Sequence, residues 1–457
     1  MRRVLMVSPH FPPDTGAATH RVRLLAPHLT KYGWEPTVLT LEPTSYEGRL
    51  DPELMELVPT ALRVVRCRAW NPRWTRRLGF GDLGLRAFWG LYRTCVQLLN
   101  KENFDILFIT ILPGYPALLG PIMHRKVGIP YVLDYQDPWV SAWGLAVGSG
   151  PNGEADLKSR ASRWIATQLE PIALRHAAAI TAVSAGTYEQ IVARMPEIVD
   201  VPRAAIPVGG EPGDLEYLRR RPRCNPFFDP TDGLFHLCYV GTLLPLGFET
   251  LRAVLKAVRL LRDRKPDIYR LLRLHFFGTS NQTTADAPCR VVPLAREIGV
   301  DESVTEVAYR IDYLDALMVQ CQASAILLMG SSEPHYTASK LYPALLTGRP
   351  ILALYHRVSS VIEILRSCSS GAHVVLYDDK CRAESQSNKI CEELITVMTA
   401  PWDGSSRNPA SIRAVSAEAL GGKLAAIFDR VSTMRDDNVP NAPTFDLIAT
   451  RNCKNQF

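Results

Sequence analysis

Short apolar runs alternate with segments of helical periodicity along almost the whole chain, and the alternation lapses only once. Val4–Ser8 is continuous in apolar residues, as a strand covered on both faces would be, and is too short to span a membrane. Ala18, Val22, Leu25 and Leu29 follow at helical spacing, Gly33 stops that helix, and Pro36–Leu41 reads as a second strand. Strand, loop, helix, strand is the right-handed crossover from which open parallel sheets are built. The N-terminal half continues with strands at LRVVRC, DILFIT, PYVLD and AITAV and helices over about 85–99, 117–127 and 158–176. From 202 to 230 the chain is full of proline and glycine and reads as a hinge. The alternation then restarts, with strands at FHLCYVGT, LHFFG, VTEVAY, AILLMG, PILALY and HVVLY and helices over about 248–261, 313–321, 337–346 and 360–366. The expected fold is α/β: two doubly wound parallel-sheet, Rossmann-like domains, residues 1–205 and 206–432, facing across a cleft. Residues 433–457 lack periodicity and read as a disordered tail.

At 457 residues the chain exceeds one ordinary core, which agrees with two or three domains. A net charge of +6 without a clustered basic patch argues against a nucleic-acid partner. Ten cysteines are scattered with no Cys-x-x-Cys pair, against a structural zinc or a disulfide framework and in favour of reduced thiols in a cytosol. The start MRRVLMVSPHF is basic, but Pro9 breaks its apolar run, so neither a signal peptide nor a transmembrane helix is expected.

Five stretches carry a resemblance: VSPHFPPDTGAATHRVRLLAPHL near the start, YVLDYQDPW at 131–139, ITAVSAGTYEQI at 180–191, YVGTLL from Tyr239, and SKLYPALLTGRPILAL at 339–354. In this order, and up to about Val431, the chain resembles family 4 glycosyltransferases of the GT-B fold. The resemblance implies transfer of a sugar, hexosyltransferase-like, from a nucleoside diphosphate sugar to a glycan, lipid-linked or small-molecule acceptor, with retention at the anomeric carbon. It also implies a role in glycoconjugate or polysaccharide biosynthesis, no resident cofactor and no required metal. Such a reaction develops negative charge on the departing diphosphate and positive charge on the sugar ring.

Four places suit that task. Gly16 and Ala17, where the first helix begins, offer backbone amides and room for a sugar diphosphate, although a loop with strand-stopping prolines is the alternative and no Gly-x-Gly-x-x-Gly pattern is present. Gly241, after the first strand of the second half, offers the same from across the cleft, or simply a tight turn. Ser339 and Lys340 are expected in the first turn of a helix, where dipole, amides and an ammonium favour phosphate; a solvated surface lysine is the alternative. Asp137, at the end of an apolar strand, either holds a sugar or acceptor hydroxyl or caps the next turn.

Departures from the family accompany these matches. The glutamate pair of the donor site is replaced by His335 and Pro343, and the basic residues that relatives carry after YVG are missing from GTLLPLG. Gln136 precedes Asp137 where a histidine is common. The SKLYP form resembles a less typical branch. Lys340, Arg310 and Arg21 remain as cations for the diphosphate, Arg310 having pairing with Asp312 or Asp315 as its alternative. His335 either hydrogen-bonds phosphate or ribose or is incidental. No His/Asp/Glu cluster has metal-ligand spacing, and no Gly-x-Ser-x-Gly elbow occurs.

Between Trp70 and Leu99 aromatic residues and Arg73, Arg76 and Arg77 precede an amphipathic helix with Leu85, Phe88, Tyr92, Val96 and Leu99 on one face. Either this region rests on an anionic membrane and receives a lipid-linked acceptor, or the stripe packs into the core. The corresponding location is cytoplasmic, with peripheral contact at the inner face of the membrane in the first case. Two other functions fit the same fold: an inactive GT-B-shaped scaffold, supported by the missing donor-site residues, and a nucleotide-sugar 2-epimerase, for whose acid and base carboxylates no motif is present.

Overall fold

The computed structural model describes residues 1–437 other than 78, 141–156, 244, 281, 332–338, 369–370, 401, 403 and 406. Two all-parallel sheets account for the alternation. The first contains β1 (Arg2–Val7), β2 (Trp34–Leu41), β3 (Arg63–Cys67), β4 (Ile106–Ile111), β5 (Tyr131–Tyr135), β6 (Ala179–Ala182) and β7 (Arg203–Ala205), in the order 3-2-1-4-5-6-7. The second contains β8 (Phe235–Val240), β9 (Leu272–Phe277), β10 (Val304–Val307), β11 (Ala325–Met329), β12 (Ile351–His356) and β13 (Ala372–Tyr377), in the order 10-9-8-11-12-13. In each, the order reverses beside the first strand, β1 or β8, which is the switch point where doubly wound sheets open a crevice. The central strands are buried on both faces, which is why they read as unbroken apolar runs.

Both faces of the first sheet are covered. On one side Leu5, Val7, Leu107 and Ile109 meet the helix Leu83–Lys101; on the other, Val4, Met6 and Phe108 meet the first helix, Thr19–Leu25. The last helix, Ala417–Asp437, begins in the stretch assigned to the second domain but covers the first sheet. Leu420, Leu424 and Phe428 pack on the first sheet with Val4, Met6 and Phe108, and Trp34 Nε1 donates to Asp429 Oδ1 at 2.9 Å. Apolar periodicity announces a helix but carries no address for the sheet it covers. Residues 433–437 continue this helix; the remainder of the expected tail lies outside the described residues.

The stripe on the helix Leu83–Lys101 resolves the alternatives left by the sequence. Phe88, Tyr92, Val96 and Leu99 pack against the first sheet's core, so this face is not free to meet a membrane. What remains outside is Trp70, Trp74, Phe80 and Trp89, each at least half exposed, with Arg77 over the Trp74 ring. Among the described residues no helix is long and apolar enough to cross a membrane.

Candidate functional site

The carboxyl ends of β1 and β8 face each other across a cavity of ≈ 240 Å³. Five of the residues singled out from sequence line it: Ala17 from the first half, and Gly241, Arg310, Ser339 and Lys340 from the second.

Gly241 follows β8 with φ +136°, a conformation that L side chains rarely adopt, and its amide donates to Phe277 O at 2.7 Å. A Cβ there would collide with the Lys340 side chain. Glycine therefore seats the lysine as well as the turn. Lys340 Nζ donates to Tyr239 Oη at 3.1 Å and to Thr242 O at 3.2 Å, and lies 4.9 Å from the centre of the Tyr239 ring. The ammonium is held at the cavity wall, unlike the solvated surface lysine of the alternative reading.

The helix after β11 begins later than periodicity suggests, at Leu341, so Ser339 and Lys340 precede it and do not occupy its first turn. Pro343 explains the shift: without an amide hydrogen it fits only the first turn of a helix. His335 lies outside the described residues.

Arg310 reaches across the cleft, donating from Nη1 to Thr15 O at 3.0 Å. Burial lowers its pKa, opposed by the charge of Asp14. Asp312 pairs instead with Arg49, and Asp315 with Arg223. Gly16 sits behind Thr15 and Ala17: its Cβ position is 3.0 Å from Asp14 Oδ2 and 3.4 Å from His10 Nδ1. The missing side chain thus makes room for that pair.

Arg21 and Asp137 need correction. Arg21 is fully buried, forks onto both Asp134 oxygens at 2.8 and 2.6 Å, and donates to the carbonyls of Ile206 and Pro207. It ties the first helix to β5 and to the interdomain connection, so its charge does not reach the cavity. β5 ends at Tyr135; its buried carboxylate is Asp134, while Asp137 is exposed two residues beyond the strand. Neither Asp137 nor Gln136 lines the cavity, and the buried Gln136 Nε2 has no hydrogen-bond partner among the described residues.

His20 and Tyr313 also line the cavity and were not singled out by sequence. Their rings are 4.4 Å apart, and Arg23 Nε donates to His20 Nδ1 at 3.2 Å, which places the neutral ring's proton on Nε2. Burial, reinforced by the charges of Arg23 and Arg310, holds His20 well below the usual histidine range and therefore neutral. Arg23 forks onto Asp214 at 3.0 and 2.8 Å, and Tyr313 Oη donates to the same carboxylate at 2.7 Å. This buried cluster clasps the two halves at one edge of the cavity. The signal in the sequence was the unusual THRVR start of an otherwise apolar helix.

Farther along the cleft, beyond β6 and β12, the starts of the helices Ala185–Arg194 and Ser360–Ser367 bound a second hollow of ≈ 730 Å³. Among the described residues no group of three His, Cys, Asp or Glu is placed to hold a metal ion.

Residues 16–209 match the family described as glycosyl transferase 4-like domain. No curated protein sequence matches the chain. Among solved structures it is similar to an α,α-trehalose-phosphate synthase (UDP-forming) from Burkholderia xenovorans in complex with glucose-6-phosphate, at 10% identity and TM-score 0.59, covering 94% of this chain and 100% of that one. It is similar to HepE from Anabaena in complex with UDP and glucose, at 14% identity and TM-score 0.53, covering 95% and 100%. A putative UDP-N-acetylglucosamine 2-epimerase from Listeria monocytogenes is 11% identical with TM-score 0.51, covering 96% and 98%. With its two parallel sheets, the chain has the GT-B fold of glycosyltransferases.

Proposed function

We propose that the protein is a glycosyltransferase that moves a sugar from a nucleoside diphosphate sugar to a hydroxyl-bearing acceptor in glycoconjugate or polysaccharide biosynthesis. The observation that carries this reading is the meeting of Lys340, Arg310 and Gly241 with the Ala17 loop in one interdomain cavity. Two cations on preorganised supports, one over an aromatic ring and one fixed to a backbone carbonyl, suit a diphosphate whose charge grows as it leaves. Neighbours named for UDP and UDP-forming chemistry share the fold and support a nucleotide-sugar donor. Retention at the anomeric carbon and independence of metal follow the family resemblance. The ≈ 730 Å³ hollow provides space along the cleft for an extended acceptor. Trp70, Trp74, Phe80 and Trp89 offer peripheral contact with an anionic membrane at the cytoplasmic face, in place of the buried helix stripe.

Incubating the purified protein with UDP-, GDP-, dTDP- and ADP-sugars and measuring nucleoside diphosphate release tests the reading. Release from one donor, lost in Lys340→Ala, is expected. A second reading, a GT-B-shaped scaffold without donor chemistry, draws on the absence of carboxylates at positions 335 and 343 and of basic residues in GTLLPLG. It requires that no nucleotide stabilises the fold. The epimerase reading shares the architecture and predicts a nucleotide-sugar product with no acceptor consumed.

A further inference from the structure

A ligand between two domains is held best when both grip it, and the first half of the chain offers few side chains for this. Among the described residues it lines the interdomain cavity with Thr15, Ala17, His20, Leu24 and Leu54. Two of these side chains are polar, and they differ in what they have left to give. Thr15 Oγ1 donates to Arg49 O at 3.0 Å, which commits its one proton. His20 accepts from Arg23 Nε at Nδ1, so the ring's proton is on Nε2. That Nε2 makes no hydrogen bond among the described residues and is open to solvent, the side chain being half-buried.

Two contacts fix the direction of this N–H. The imidazole lies 4.4 Å from the Tyr313 ring, whose hydroxyl is tied to Asp214, and its Nδ1 edge is held by Arg23, itself forked onto the same carboxylate. Arg23 is buried and outside the cavity lining, so the edge turned to the cavity is the one that carries Nε2. A second proton would set an N–H on Nδ1 against the Arg23 N–H, and burial also disfavours it. The ring is therefore a preoriented, uncharged donor that asks for an acceptor. Lys340 and Arg310 already bring positive charge to the same cavity from the second half. A phosphate oxygen suits all three: the cations offset its charge, and the imidazole adds a directional hydrogen bond that strengthens as charge develops, without a further buried cation.

We propose that His20 is the first domain's side-chain contact with the nucleoside diphosphate sugar, its Nε2–H donating to an oxygen of the diphosphate. The contact rests on the donor reading above. It makes the ligand a bridge, with the cations of the second domain on one side and a neutral imidazole of the first on the other.

Asparagine and glutamine separate the two edges of the ring. His20→Asn keeps an amide oxygen near the place of Nδ1, an acceptor for Arg23, and has no donor at the place of Nε2. His20→Gln carries an amide N–H near the place of Nε2 and leaves Arg23 Nε without its acceptor. Isothermal titration of UDP, GDP, dTDP and ADP into the unmodified full chain identifies the nucleotide that binds, which is then titrated into both variants. His20→Asn should lose roughly 10- to 150-fold in affinity, the loss expected for a hydrogen bond to a charged group, and His20→Gln should recover most of it. Melting temperatures should rank the other way, because Arg23 is served by asparagine. Affinity of His20→Asn within about threefold of the unmodified protein, or His20→Gln binding no better than His20→Asn, overturns the proposal. Proton–nitrogen NMR follows the same hydrogen without a substitution: the His20 Nε2–H signal should move downfield and exchange more slowly when the nucleotide is bound, and an unchanged signal overturns the proposal. If no nucleotide binds the unmodified protein, the donor reading falls instead, a result distinct from nucleotide binding that is indifferent to His20→Asn.

Discussion

Replacing Gly241 by alanine inserts a methyl group where the Lys340 side chain lies, in a backbone conformation of φ +136°. The backbone term is a stability cost of about 1–3 kcal/mol, since a non-glycine residue is being held in a sparsely populated region. For a domain of this size that lowers the melting temperature by ~2–4 °C per kcal/mol. The second effect falls on binding. Lys340 must leave Tyr239 Oη and Thr242 O, now at 3.1 and 3.2 Å, and the ammonium leaves the position from which it is proposed to meet the diphosphate. A hydrogen bond to a charged group contributes ~1.5–3 kcal/mol, which corresponds to roughly 10- to 150-fold in affinity. Because the methyl acts through Lys340, Gly241→Ala and Lys340→Ala should remove the same interaction. Calorimetric titration of the bound nucleotide into both single variants and the double variant measures this: the double variant should bind about as weakly as Lys340→Ala alone. Additive losses would show that Gly241 makes room for the diphosphate itself and would refute the idea that it serves the lysine.

Asp214→Asn strands the buried Arg23 guanidinium and should cost about 3–5 kcal/mol in urea denaturation, most of it recovered when Arg23 is also replaced by methionine. His275, buried between His236 and Thr305, is pushed by burial, with the nearby charges of His236 and Arg273, from 6.5 to about 4. Between those values the unfolded chain binds the proton and the folded chain does not. Its contribution is therefore complete above pH 6.5 and shrinks on acidification, by up to about 3 kcal/mol near pH 4. Denaturation curves at pH 7 and pH 5 should show the slope, and His275→Val should flatten it. Co-sedimentation with phosphatidylserine-containing vesicles should drop roughly tenfold or more in a Trp70→Ala, Trp74→Ala double variant, with unchanged melting; equal binding by both proteins would remove the membrane contact.

The architecture was legible because buried parallel strands and amphipathic helices have different periods, and their strict alternation leaves few topologies. Gly241 and Arg310 were legible for the same reason, since residues just past the carboxyl ends of the strands face the cleft; Lys340, eleven residues beyond β11, was legible from its place near a helix start. Local pattern fails where a side chain's partner is distant in sequence. Arg21 and Arg23 lie two residues apart on one helix, yet the first is consumed by Asp134 and the second by Asp214 across the interdomain connection. Asp134 and Asp137 flank the end of β5, and only the fold reveals which is buried. The helix after β11 was expected from Thr337 but starts at Leu341, which puts Pro343 in its first turn, the only turn that tolerates a missing amide hydrogen.

Everything proposed for this chain depends on the cavity between Ala17 and Lys340 holding a nucleoside diphosphate sugar. Isothermal titration of UDP, GDP, dTDP and ADP into the purified protein, repeated with Lys340→Ala, shows whether it does. One nucleotide is expected to bind at a single site and to lose roughly 10- to 150-fold in affinity in the variant. Binding of none of them by a well-folded sample, or equal affinity in the variant, would contradict the proposal.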